Sequence, residues 1–169
     1  MELVDLYDDG KNLTGEKIAR GDVMPDGRYR LSVHMWIINS LGQVYIQKRA
    51  GVRRLFPNLW ENPGGGVLSG QDSKSTMIRE FEEELGISPD VANAKIIATI
   101  KRTKDFVDIW LIKQDFKIDE LTLQESEVAE AKWSSIDEIK DMIAQGKFCP
   151  TIMDSFNPFM EYMQSDNAE

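Results

Sequence analysis

The sequence predicts an α/β protein, and three observations carry that expectation. Segments 30–39, 43–49, 94–100 and 106–112 are rich in β-branched and aromatic residues and read as strands. Residues 73–85 repeat apolar positions with helical spacing, and further helical patterns follow residue 135. No internal repeat or low-complexity tract divides the 169 residues, a length that suits one domain with a proper core. The expected domain is 1–169, with its centre at about 30–145 and an N-terminal edge hairpin and C-terminal helix appended.

Charge narrows the function classes. A formal charge of −9 argues against a nucleic-acid partner, because binding a phosphate backbone needs a basic surface to release counterions. A phosphorylated ligand would therefore need another attraction, and a divalent metal held by carboxylates supplies one. The acidic opening MELVDLYDDG lacks the basic start and apolar stretch of a signal peptide. No apolar run approaches the roughly 20 residues that span a bilayer. Cys149, the lone cysteine, has no partner for an internal disulfide. These points predict a reduced, cytoplasmic protein that binds neither nucleic acid nor membrane.

Along the chain, short apolar pieces at Leu3, Val4 and Leu6 with turn signals at 8–10 and 25–27 predict an edge hairpin before residue 30. In RLSVHMWIIN, Leu31, Val33, Met35 and Ile37 share one face, while Ser32, His34, Trp36 and Ile38 share the other. A turn at 39–42 leads to QVYIQKR, which predicts an antiparallel hairpin. His34, the only histidine, reads as a partly buried strand residue, since no second histidine or cysteine partners it. Arg30, Lys48 and Arg49 are candidate substrate contacts at strand ends, with Arg53 and Arg54 weaker candidates in the following loop. Phe56 and Trp60 offer rings for stacking, although Trp60 suits the core equally.

The helix follows from its periodicity. At about 100° per residue, Met77, Ile78, Phe81 and Leu85 form the stripe that must pack on the sheet. Asp72 or Ser73 offers an N-cap, and Gly86 a C-cap. Glu80, Glu83 and Glu84 stand at i, i+3 and i+4 beside that stripe, whereas Glu82 points elsewhere. Three like charges this close repel one another, which a solvated face normally avoids by interspersing lysines. Carboxylates with a backbone carbonyl from the upstream glycines are a donor set that Mg²⁺ accepts.

The segment resembles the Nudix box: Gly, five residues, Glu, seven residues, then Arg-Glu-apolar-x-Glu-Glu-x-Gly-apolar. Gly65 takes the first position, and Arg79, Glu80, Phe81, Glu83, Glu84, Gly86 and Ile87 take the later ones without a gap. Gln71 departs from the pattern, replacing the family's first glutamate with a neutral side chain of similar shape. The resemblance implies an α/β/α sandwich with a mixed β-sheet. It also implies a hydrolase that cuts the diphosphate linkage of a nucleoside diphosphate joined to another group. Glu80, Glu83 and Glu84 would hold Mg²⁺, with Mn²⁺ as substitute, and a carbonyl of Gly64 or Gly65 would complete the shell. Arg79 would orient the glutamates. Such chemistry activates a metal-bound water for in-line attack at phosphorus, and a carboxylate accepts the proton. Glu80, Glu84, Arg79 and Glu127 are the catalytic candidates, Glu127 as the further carboxylate the family often supplies from a later loop, with Glu125 second. The implied partner is a small-molecule nucleoside diphosphate derivative, with a homodimer left open.

Beyond the box, AKIIATI and FVDIWLI read as strands joined by a polar turn at 101–105, and VAEAKW as a short strand. Ser135 with Glu138 predicts a capping box for a helix carrying Ile136, Ile139, Met142 and Ile143. A last helix spans about 150–164, with a kink expected at Pro158.

Two other functions compete. The stretch RYRLSV, followed by an apolar strand and QKR, resembles the isopentenyl diphosphate isomerase branch, yet Tyr29 stands where that branch has histidine and no cysteine lies near the glycines. A ligand-binding or regulatory module without turnover would use Gln71 as its support, against the three retained helix carboxylates. If Gln71 serves the loop–helix junction through its amide, Gln71→Glu leaves turnover within the same order of magnitude. A rise of several orders in a steady-state assay would mark the native chain as a weakened enzyme.

Overall fold

A computed structural model describes residues 1–166. Strands β1 (Leu3–Tyr7) and β2 (Leu13–Ala19) form the expected N-terminal hairpin as a separate two-stranded sheet. Lys11, at its turn, reaches 2.6 Å to the buried Asp108 of the main sheet, which pins the hairpin down.

The main sheet is mixed and seven-stranded. At its centre β3 (Arg30–Ile38) runs parallel to β8 (Asp105–Lys113), in register from Arg30↔Asp105 to Ile38↔Lys113. Strand β7 (Ala94–Lys101) continues that side antiparallel to β8. On the other side, β4 (Val44–Arg49) meets β3 only at Ile38↔Val44 and takes β9 (Val128–Ser134) along its far edge. The hairpin expected from 30–49 therefore opens after one pair. Into the opening come β5 (Trp60–Glu61), paired with β4, and β6 (Gly64–Gly66), paired with β3 at Ser32↔Gly66, Val33↔Gly65 and His34↔Gly64. The triglycine run is thus a strand in the sheet, where a loop was expected. Absence of side chains permits it: a Cβ at Gly64 would stand 2.4 Å from the Val33 carbonyl oxygen.

Each face of the sheet is covered. Leu31, Val33, Met35 and Ile37 pack with Met77, Phe81 and Leu85 of helix α1 (Ser73–Leu85). Trp36 and Ile38 pack on the opposite side with Ile139 and Met142 of α2 (Ile136–Ala144) and Phe156 and Phe159 of α3 (Met153–Asp166). The period-2 alternation of β3 thereby produces the three layers. His34 lies fully inside at 8% exposure, deeper than its alternating strand position suggested.

The helix ends follow local chemistry. The Asp72 carboxylate accepts the Ser75 N–H at 2.7 Å, and Gly86 closes α1 at φ 73°, where its N–H reaches the Glu82 carbonyl. For α2, the Ser135 hydroxyl accepts the Glu138 N–H, but the Glu138 carboxylate turns to Ser134 and Lys132, so only half of the expected box forms. Residues on both sides of Pro158 belong to one helix, α3. Among the described residues no helix is long and apolar enough to cross a membrane.

Phe159 is fully buried and stacks on Trp36 with ring centroids 4.6 Å apart and planes 7° from parallel. Phe159→Ala should cost about 3–5 kcal/mol in urea denaturation, the range for truncating a buried aromatic ring.

Candidate functional site

The site is built where β6 meets α1. A Cβ on Gly65 would lie 2.0 Å from Glu80 Oε1, so a side chain there would collide with the carboxylate. Glycine at 65 thus lets the Glu80 carboxylate press against the backbone of β6. Glu80 is 8% exposed and Glu84 3%. Glu83, one residue before Glu84, points outward with 47% of its side chain exposed.

Arg79 braces this edge. Its Nη1 lies 2.9 Å from Glu80 and 3.0 Å from Glu83, its Nη2 donates to the Gly66 carbonyl, and its Nε donates to Gln71 Oε1 at 3.1 Å. The Thr76 hydroxyl donates to that same Gln71 oxygen. Gln71 therefore fixes Arg79 as a neutral acceptor, a job that uses oxygen but not charge.

Burial dominates the electrostatics. Loss of solvent raises the Glu80 carboxyl to about 7 against the pull of Arg79, with Glu83 adding repulsion. Glu84 rises well above the carboxylate range through burial and the nearby charges of Glu61 and Glu80, while Gln47 Nε2 donates to it at 2.6 Å. Burial likewise raises Glu61, although Arg49 stands 2.7 Å away and opposes the shift. Desolvation lowers His34 to about 4, so its imidazole is neutral near pH 7.

A cleft of about 190 Å³ opens beside β6, lined by Glu84, Glu61, Glu127, Arg49 and Arg53, by the three glycines and by His34 and Asn62. Glu127 pairs with Arg53 at 2.6 Å, joining two loops across the rim, and the Ala50 N–H donates to the Glu127 carbonyl below them. Among the described residues, no three His, Cys, Asp or Glu side chains are grouped as they stand to hold a metal ion. Glu80 and Glu83 are instead engaged by Arg79, and Glu84 by Gln47.

Of the residues singled out in the sequence, Gly64, Gly65, Glu84, Arg49 and Glu127 line this cleft, and Glu80 lies directly behind Gly65. Lys48 does not line it: its ammonium sits 5.9 Å from the Trp60 ring centroid and 3.8 Å from Glu130. That follows from strand alternation, which sends Lys48 to the face opposite Gln47. Arg30 lines a separate neighbouring cavity under the N-terminal hairpin. Glu125 is exposed on its loop. Trp60 is half-buried beside the lower core, whereas Phe56 is exposed. Gln47, Glu61 and Asn62 were not among the candidate site residues of the sequence. A two-residue strand such as β5 has no periodicity to announce it, and the spacing from Glu61 to the glycines was the only available signal.

The family model of the NUDIX domain matches residues 28–151. An uncharacterized Nudix hydrolase of Listeria monocytogenes is 34% identical over 151 residues, covering 89% of each chain. A crystal structure from Deinococcus radiodurans superposes with a TM-score of 0.74 at 24% identity, covering 88% of this chain and 92% of that one. The NUDIX domain of Shewanella oneidensis NrtR, complexed with ADP ribose, superposes with a TM-score of 0.63 at 15% identity, covering 80% and 88%.

The raised carboxyls give the fold a pH dependence. Glu80, Glu84 and Glu61 each hold a proton to higher pH in the folded chain than in the unfolded one, and these three outweigh the opposite contribution of His34, which stays neutral in the fold where the unfolded imidazole is still protonated. Stability in a chelating buffer should therefore fall as pH rises from about 5 to about 8. Thermal midpoints across that range check it, and a flat or rising profile would refute the shifts.

Proposed function

The chain belongs to the Nudix family of hydrolases, and from that premise we propose that it is a Mg²⁺-dependent pyrophosphohydrolase cleaving the diphosphate of a nucleoside diphosphate joined to another moiety. Its relatives are Nudix hydrolases, and an RNA pyrophosphohydrolase of Pseudoalteromonas atlantica that is 38% identical over 73 residues supports pyrophosphohydrolase activity. The proposal adds the metal, the substrate linkage and the residues.

One observation carries the metal. Glu80 and Glu84 are buried with raised proton affinity beside a glycine backbone that has no room for a side chain. Buried carboxylates are costly alone and favourable with a cation. Their hard oxygens suit Mg²⁺, and Mn²⁺ as a substitute. Glu80, Glu83 and Glu84 would hold the ion, with a carbonyl of Gly64 or Gly65. Bound there, the cation would offset diphosphate charge and lower the pKa of a coordinated water.

The chain's own groups do the rest. Arg79 keeps Glu80 and Glu83 aimed along one helix edge. Arg49 and Arg53 are the cations that line the cleft, and they would meet the phosphate oxygens. Glu127, held at the rim by Arg53, would take the proton from the attacking water. Location in the cytoplasm and assembly as a homodimer belong to the same proposal.

Glu84→Gln should reduce turnover by about a thousandfold while leaving the chain folded, because it removes a metal ligand and also the cost of a buried charge. Chelator should abolish activity, and Mg²⁺ or Mn²⁺ restore it. A screen of nucleoside diphosphate sugars, ADP-ribose, dinucleoside polyphosphates, coenzyme A and nucleoside di- and triphosphates reads these effects. Full activity of the variant, or activity indifferent to chelator, would refute the assignment.

A further inference from the structure

Two buried polar atoms in the molecule lack any hydrogen-bond partner among the described residues: His34 Nδ1 and Asn62 Oδ1. Both residues line the cleft that holds Glu84 and Glu127. Unsatisfied buried polar atoms are uncommon and costly, so two in one cleft call for an explanation.

Their chemistry is specific. Asn62 is 1% exposed, and its Nδ2 donates to the Met35 carbonyl at 3.0 Å, which orients the amide and leaves Oδ1 as a pure acceptor. That bond is fixed by the opening of the β3–β4 hairpin, since Met35 also donates its N–H to the Pro63 carbonyl there. His34 keeps Nδ1 without a partner in the same cleft, and in the tautomer that carries its proton on Nε2 that nitrogen is an acceptor. Neither residue carries a fixed charge, in contrast to Glu61, Glu84, Glu127, Arg49 and Arg53 of the same cleft. An anion gains little from a neutral acceptor, whereas an O–H or N–H donor gains a bond.

We propose that His34 and Asn62 form a subsite for a neutral hydrogen-bond donor, a sugar hydroxyl or an N–H group, on the moiety attached to the diphosphate. The inference rests on the hydrolase reading for the presence of a diphosphate ligand, but the subsite is a binding property that is measured separately. It makes sugar-bearing diphosphates better ligands than bare pyrophosphate.

The test uses His34→Phe, which keeps a ring and removes the unpaired nitrogen. Binding of ADP-ribose and of inorganic pyrophosphate is measured by calorimetry, in chelator and with Mg²⁺, alongside urea denaturation. The preference for ADP-ribose over pyrophosphate should fall about fivefold, the loss expected for one hydrogen bond. Stability should stay level or rise, because a buried unpaired polar atom has been removed. Asn62→Leu is the second variant and should lower the same preference, although it also gives up the Met35 bond. An unchanged preference in both variants overturns the subsite, as does a wild type that binds ADP-ribose no tighter than pyrophosphate. A wild type that shows the His34-dependent preference yet hydrolyses no diphosphate would uphold the subsite and overturn the hydrolase reading.

Discussion

Everything in the site depends on the seating of a side-chain-free strand against a carboxylate. Gly64–Gly66 pairs with β3 on one side and faces α1 on the other, and at Gly65 even one methyl group would overlap Glu80. Close approach brings Glu80 and Glu84 to the sheet, removes them from water and raises their proton affinity. The same approach lets Arg79 reach the Gly66 carbonyl and both neighbouring glutamates at once. Packing, electrostatics and the proposed metal chemistry thus share one steric origin.

The sheet pays for that seating with an interrupted hairpin. Strands β3 and β4 part after Ile38↔Val44, and the segment from Trp60 to Gly66 fills the gap. What results is a cleft inside a sheet rather than on top of one, and it explains why Asn62 is buried and Glu61 half-buried among polar neighbours. Stability comes from elsewhere: Trp36, Phe156 and Phe159 on one face and Met77, Phe81 and Leu85 on the other hold the layers together. Rigid cores on both sides allow the cleft between them to retain unpaired polar atoms and costly carboxylates.

Some expectations held for local reasons. Helix α1 begins and ends at the residues that its caps specify, and the two faces of β3 separate as alternation requires. Others failed where pairing was non-local. The glycine run reads as a loop by composition, since nothing in three glycines signals a strand, and only β3 makes it one. Lys48 looked like a cleft residue because it neighbours Arg49, yet side-chain alternation and the Trp60 ring carry it away.

The sequence by itself determined the family, the carboxylate-bearing helix with its caps, and the spacing from Gly65 to Ile87. These are short-range properties, written in periodicity and in a gapless motif. Tertiary structure alone decided that Glu80 and Glu84 are buried while Glu83 is not, that Gln47, Glu61 and Arg53 join them, and that His34 and Asn62 keep unpaired atoms in the same cleft. The physical reason is distance: these partners meet across strands and loops far apart in the chain, and solvent exclusion at their meeting point is a property of the folded layers.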